Sequence, residues 1–207
     1  MNQDTSESTP AGRGNARGEV TRSRLLDAAL RSFATRGFHG TSTRDIADAA
    51  GMSPAAVYIH YRTKEELLFQ LSLSGHRQVR EIVDGAAAES TRPDEQIRQV
   101  VERYTAWHAR HHTMAHVVQH EMPALNPTHA EEIATIRRGI EARIRKIVTT
   151  GADAGCFEVS NPAMTALAIL SLGIDVARWY REDGAWSPDE IGNEYGELTL
   201  RMLTSRR

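Results

Sequence analysis

The chain is predicted to be all-α, with about nine helices forming a three-helix N-terminal head and a larger C-terminal helical domain. Three observations predict this. Apolar residues recur at three- and four-residue spacing nearly throughout, and strand-type alternation is never sustained. Five of the seven prolines (54, 93, 127, 162 and 188) open such periodic segments, three of them directly after Ser53, Asn126 and Asn161. Proline suits a first helical turn, where the N–H has no partner anyway. Gly37 and Gly51 follow the last periodic residues of two segments, where a left-handed C-terminal residue is needed and a Cβ would clash.

Residues 1–19 are rich in Ser, Gly and Arg and lack an apolar anchor, so they are expected to form a disordered arm; Arg13 and Arg17 would be its groove-reaching groups. Helix 1 is expected over Thr21–Arg36, striped by Leu25, Leu26, Ala28, Ala29 and Phe33, with Phe38 as a plug. Ser42 caps helix 2, and Asp45, three residues on, completes a capping box ahead of Ile46, Ala47 and Ala50. Ser53-Pro54 restarts the chain as cap and first residue of helix 3, which ends in Tyr58, His60 and Tyr61. Thr63-Lys64-Glu65-Glu66 reads as the capping box of helix 4, continued by Leu67, Leu68, Leu71, Val79, Ile82 and Val83. Helix 5 carries Ile97, Val100, Val101, Tyr104, His108 and His111 on one face, and helix 6 spans about Thr113–Met122. Helix 7 carries an isoleucine stripe from Ile133 to Ile147. Helix 8, Asn161–Arg181, is apolar over most of its circumference, and helix 9 shows Ile191, Tyr195, Leu198 and Met202. The domain limits expected from this pass are 20–66 and 67–207.

At 207 residues, 40% apolar and 25% charged, the composition is that of a soluble protein with a real core. The net charge is −2, which excludes a uniformly basic nucleic-acid binder. Between Thr21 and Lys64, however, seven Arg/Lys face three Asp, a net +4, leaving about −6 for the remainder. A basic head on an acidic body is a directional footprint for phosphate. Cys156 is alone and fits a reducing compartment. The polar first twenty residues are unlike a secretory signal, and the longest uncharged run, Val159–Ile174, is too short to span a bilayer. A cytoplasmic protein with no membrane partner is expected. No nucleophile elbow, phosphate-cradling glycine loop or paired-carboxylate motif occurs, so the expectation is a non-enzyme without cofactor.

Helix, glycine turn and helix over Ser42–Tyr61 is the plan in which a second helix enters the DNA major groove. Thr43 and Arg44, opening helix 2, are candidates to clamp the backbone. Lys64 opens helix 4, where its charge and the free N–H groups both favour a phosphate. Pro54, Ala55 and Ala56 offer only apolar contact, as with a thymine methyl, so base readout falls to Arg44 and Ser53.

The N-terminal third resembles the TetR family of one-component bacterial transcription regulators. The resemblance lies in Thr21-Arg22, Ala28-Ala29 and Phe33, Arg36-Gly37-Phe38, Thr41 to Ala47, Ala50-Gly51, Ser53 to Tyr61, and Lys64 to Leu67. Where many relatives place a polar pair at the start of helix 3, this chain has Ser-Pro-Ala-Ala. The resemblance implies that Tyr58 and His60 meet phosphates while Tyr61 seals the small core. It implies a homodimer on a near-palindromic double-stranded operator, joined through helices 8 and 9, for which Leu167, Leu170, Ile174, Ile191, Tyr195, Leu198 and Met202 are the candidates. It also implies an effector pocket among helices 4 to 8. Tyr104, Trp107, His108 and His111, with Met114, Val118 and Met122, are candidate lining, being aromatic and Met surface with a few polar points. Arg137, Arg138, Arg143 and Arg145 could pair an acidic small-molecule effector of the lipid or acyl-CoA kind. The implied activity is repression relieved by that effector.

Two alternatives stay open. One is a constitutive DNA-binding protein with a filled core. The other is a metal-dependent enzyme or metal sensor using His108, His112, His116 and His120, which fall at spacings of four with His111 beside them. The helix 5–helix 6 junction is expected at His111–Thr113, which would break that ladder, so no metal site is assigned.

Overall fold

A computed structural model describes residues 11–204, and among these every regular element is helical. The chain divides into two compact units, one ending at Leu67 and the other beginning at Leu68.

The first unit holds α1 (Ala11–Arg36), α2 (Thr43–Ala50), α3 (Pro54–His60) and the first turn of α4 (Lys64–Ala88). α1 starts ten residues before the expected Thr21. Residues 11–19, expected as part of a disordered arm, are therefore helical, and residues 1–10 of that arm lie outside the described residues. No proline interrupts 11–36, so a helix anchored at Leu25 extends backward by one hydrogen bond per residue. Leu25, Ala28, Ala29, Phe33 and Phe38 meet Ile46, Ala47, Val57 and Tyr61 in a sealed core. The local signals act as read. The Ser42–Asp45 capping box is closed in both directions, and Gly51 ends α2 at φ 65°. The Ser53 hydroxyl accepts the Ala56 N–H, with Pro54 in the first turn. The α4 box is offset. Thr63 Oγ1 accepts the Glu66 N–H, but the Glu66 carboxylate accepts from Arg62 N–H, one residue before the cap.

The second unit holds the rest of α4, α5 (Pro93–Arg110), α6 (His112–Glu121), a 3₁₀ turn (Met122–Ala124), α7 (Pro127–Asp153), α8 (Pro162–Trp179) and α9 (Pro188–Leu203). α5 is its centre and packs on α7, α8 and α9. The α5–α9 contact is made by backbone rather than by large side chains. A Cβ on Gly192 would sit 2.4 Å from the Glu102 carbonyl oxygen, and one on Gly196 would sit 3.0 Å from that of Arg98. The buried seam of α9 is Ile191, Gly192, Gly196, Thr199 and Leu203. Of the α9 stripe read from the sequence only Ile191 is buried, in a cluster with Ala109, Val176 and Tyr180; Leu198 and Met202 face outward. Small residues form the inner face because the helix approaches too closely for large ones.

Candidate functional site

In the first unit, α3 presents its outer face. Tyr58 is 55% exposed and Ile59 is 80% exposed, while Val57 points into the core. Ser53 and Ala55 are exposed, and Pro54, Ala56 and His60 are half-buried. Arg44 is exposed at the start of α2, with Thr43 half-buried beside it. The helix pair α2–α3 thus offers solvent a guanidinium, hydroxyls and a phenol. Asp45, on the same helix, is held well below the usual carboxylate range by the Ser42 hydroxyl and N–H. Tyr61 is buried, and burial pushes its phenol pKa up.

Lys64, expected to meet a phosphate, has partners within the head. Its Nζ donates to the carbonyls of Phe38 and Thr41, each at 2.7 Å, and lies 4.4 Å from the Phe38 ring centroid. The ammonium closes the α1–α2 loop onto α4. Its stabilising work lies inside the head, a role invisible in the sequence because its partners lie 26 and 23 residues upstream.

In the second unit, α4, α5, α6, α7 and α8 enclose a cavity of about 530 Å³. Six of the seven residues read as pocket lining border it: Tyr104, Trp107, His108, Met114, Val118 and Met122. His111 does not. It sits at the α5–α6 junction with φ −111°, its ring stacked on Trp107 at 4.6 Å. The α4 wall of Gly75, His76 and Val79 escaped the sequence reading. The available signal was the one-turn spacing of Gly75 and Val79 on α4. Arg137, Arg138 and Arg145 of α7 line the cavity with Glu141, whereas Arg143 points elsewhere, 3.7 Å from Asp84. Arg138 is paired with Glu131 at 2.6 Å, both well exposed, and Arg145 with the largely covered Glu141 at 3.4 Å.

The inner wall is apolar and closely fitted. Met114 Sδ would lie 3.2 Å from a Cβ on Gly75, and the Tyr104 ring 2.6 Å from one on Gly173. His108 is buried, and desolvation pulls its pKa down to about 4 against the opposing effect of its bond to the Tyr104 carbonyl. His76 is lowered for the same reason, desolvation first, aided by Arg137. Both rings are neutral near pH 7.

The residues read as dimer contacts divide into three groups. Leu167, Leu170 and Ile174 border the cavity, Leu167 while also 51% exposed. Ile191 is core, and Tyr195 packs against the Ala109–Val176 cluster. Leu198 and Met202 lie open on α9. The histidine ladder is broken at His111, where α5 ends and α6 begins. His116 and His120 pair at 4.1 Å between ring centroids, and no three His, Cys, Asp or Glu among the described residues gather as metal ligands.

Residues 25–71 match the family model described as bacterial regulatory proteins, tetR family, and residues 90–203 match the tetracyclin repressor-like C-terminal domain. The HTH-type transcriptional repressor KstR2 of Rhodococcus jostii (strain RHA1) is 31% identical over 195 residues, covering 89% of this chain and 91% of that protein. The fatty acid metabolism regulator protein of Bacillus subtilis (strain 168) is 24% identical over 184 residues, covering 88% and 95%. A solved regulatory protein of the tetR family from Rhodococcus RHA1 superposes with a TM-score of 0.84 at 39% identity, covering 90% of this chain and 98% of its own. With its head and its C-terminal domain each matched in the same order, the chain belongs to the TetR family of bacterial transcription regulators.

Proposed function

We propose that this TetR-type DNA-binding transcriptional repressor acts as a homodimer on a near-palindromic operator and is released by an acidic, acyl-type small molecule held in the α4–α8 cavity. The observation that carries the reading is the cavity itself. Its 530 Å³ lies in the range of small-molecule sites, and a helix bundle with a filled core would lack it. Apolar and aromatic walls suit a hydrocarbon body, and three arginines of α7 suit an anionic head. An anion would compete for Arg138 with the exposed Glu131 and for Arg145 with Glu141. The name of the Bacillus subtilis relative, a fatty acid metabolism regulator, favours the same ligand class.

Dimerisation is supported by the open apolar surface of α8 and α9. Met164, Leu167, Leu172, Leu198 and Met202 are 42–64% exposed, large apolar side chains concentrated on two helices. Two heads then reach successive major grooves roughly 34–36 Å apart or more. The effector shifts the population between head spacings, and α4 is the connecting element because it opens in the head and continues through Gly75, His76 and Val79. The protein would act in the cytoplasm, where operators are; no helix among the described residues is long and apolar enough to cross a membrane.

The test is a gel-shift titration on duplex from the protein's own upstream region, with decanoyl-CoA added to the complex. Release by decanoyl-CoA from the wild type but not from Val118→Trp, which fills the cavity, is the expected result. A wild-type complex that survives saturating decanoyl-CoA and decanoic acid favours constitutive binding. Light scattering should give two chains per particle, and one chain for Leu198→Glu with Met202→Glu. Leu170 is unsuited to this test, because it borders the cavity.

A further inference from the structure

We propose that the inner wall of the cavity selects a ligand whose apolar body carries a hydrogen-bond donor, a hydroxyl above all, and disfavours the same body with a ketone; this rests on the cavity being the effector site. The argument turns on which polar atoms of the wall remain unused. Trp107 Nε1–H donates to Gln78 at 3.3 Å, and the Tyr104 hydroxyl donates to the Leu170 carbonyl at 3.4 Å. The Ser171 hydroxyl donates to Leu167 at 2.8 Å. The indole, phenol and hydroxyl donors of the α5 and α8 walls are thus turned toward the protein; the Gln119 amide on α6 and the arginines on α7 are the donors that border the rest of the cavity.

The histidines are left in the opposite state. His108 Nδ1 lies 2.8 Å from the Tyr104 carbonyl, and His76 Nδ1 lies 2.7 Å from the Ser72 carbonyl. A carbonyl oxygen only accepts, so in each ring Nδ1 carries the proton. Each ring is neutral, so Nε2 keeps a lone pair. The Nδ1 edge is tied to the residue's own helix, and the Nε2 edge therefore faces the cavity both residues line. Two helices, α4 and α5, thus direct acceptors into the same space. They stand close enough that a charge on His76 disfavours one on His108.

The chemistry follows from mismatched pairs. A hydroxyl donates to one Nε2 and can accept from water or a neighbouring donor. A ketone oxygen brings lone pairs to lone pairs and displaces the water that otherwise satisfies the imidazoles, leaving buried acceptors unpaired. The cationic groups of the cavity lie on a different helix, α7; Arg137 stands near enough to His76 to disfavour a charge there, while Arg138 and Arg145 are held by Glu131 and Glu141.

The test separates the two ends by setting two probes without a charged head against one that carries a carboxylate. Wild-type protein is titrated calorimetrically with 1-decanol, 2-decanone and decanoic acid. Decanol should bind about three- to tenfold more tightly than decanone, the worth of one hydrogen bond to a buried acceptor. His76→Phe with His108→Phe should bring the two to parity without loss of decanoic acid binding. If the double variant does not fold, His76→Phe alone should at least halve the preference. In ¹⁵N-histidine spectra, decanol and not decanone should shift Nε2. Equal affinity of decanol and decanone in the wild type overturns the inference while leaving the effector reading intact, provided decanoic acid binds. Failure of all three probes to bind overturns both.

Discussion

Replacing Lys64 by methionine keeps the hydrocarbon stem and removes the ammonium. The stem continues to cover apolar surface, so the change isolates the charge. Two carbonyls, those of Phe38 and Thr41, then lose a donor at 2.7 Å, and the Phe38 ring loses a cation at 4.4 Å. A hydrogen bond from a charged donor contributes about 1.5–3 kcal/mol when protected, and a cation over a ring about 0.5–1 kcal/mol at exposed sites. Lys64 is half-buried, and water can replace part of what is lost. We therefore take about 2 kcal/mol for the whole group, which is roughly a thirtyfold change in an opening equilibrium. The assay is amide hydrogen exchange over the α1–α2 loop and the end of α1, where protection should fall by that factor. A duplex titration across salt concentrations supplies the contrast. Lys64→Met should leave the salt slope unchanged, while Arg44→Ala, lacking the exposed guanidinium, should lower it by about one. A slope lowered by one in Lys64→Met with unchanged exchange would refute the assignment and return Lys64 to the phosphates.

Two further outcomes follow from the second unit. Gly192→Ala places a methyl 2.4 Å from the Glu102 carbonyl oxygen and 3.0 Å from Ala106 Cβ, so α9 must leave α5; a loss of about 2–3 kcal/mol is expected from chemical denaturation, and an unchanged midpoint would sink the backbone-contact account. His108 binds its proton in the folded protein only near pH 4, against 6.5 when unfolded. The unfolded chain then holds more protons between these values, so stability falls as pH drops through 6.5 toward about 4, by roughly 2 kcal/mol between pH 7 and 5. Urea midpoints at those two pH values should show this loss, and His108→Phe should remove that share; an identical pH dependence in the variant contradicts a neutral buried imidazole.

What could be read from sequence follows the range over which each signal acts. The capping of α2 and α3 was legible because Ser42 and Asp45, Ser53 and Ala56 are three residues apart. The pocket aromatics were legible because Tyr104, Trp107 and His108 lie on one turn of one helix whose stripe is otherwise aliphatic. The carbonyl partners of Lys64 were not legible, since they lie 26 and 23 residues upstream and only the folded loop brings them to the ammonium. α8 was ambiguous for a different reason. A helix apolar on nearly all sides must bury more than one face, and periodicity does not say that Leu170 and Ile174 border a cavity while Met164 and Leu172 stay open. The inner face of α9 was not legible because hydrophobic patterning marks large residues, and Gly192 and Gly196 act by lacking a side chain.

The helix α3, expected to enter the major groove, has seven residues, so its axis is about 10 Å long, the height of roughly three stacked base pairs. Three pairs read without error select about one random site in sixty-four, and Pro54, Ala55 and Ala56 at its start bring no polar side chain to a base edge. One head is a poor address. Most of the information that distinguishes an operator must reside outside α3, in the separation and symmetry of two half-sites and in the shape of DNA between them, so point changes in the spacer should matter as much as changes under the helix.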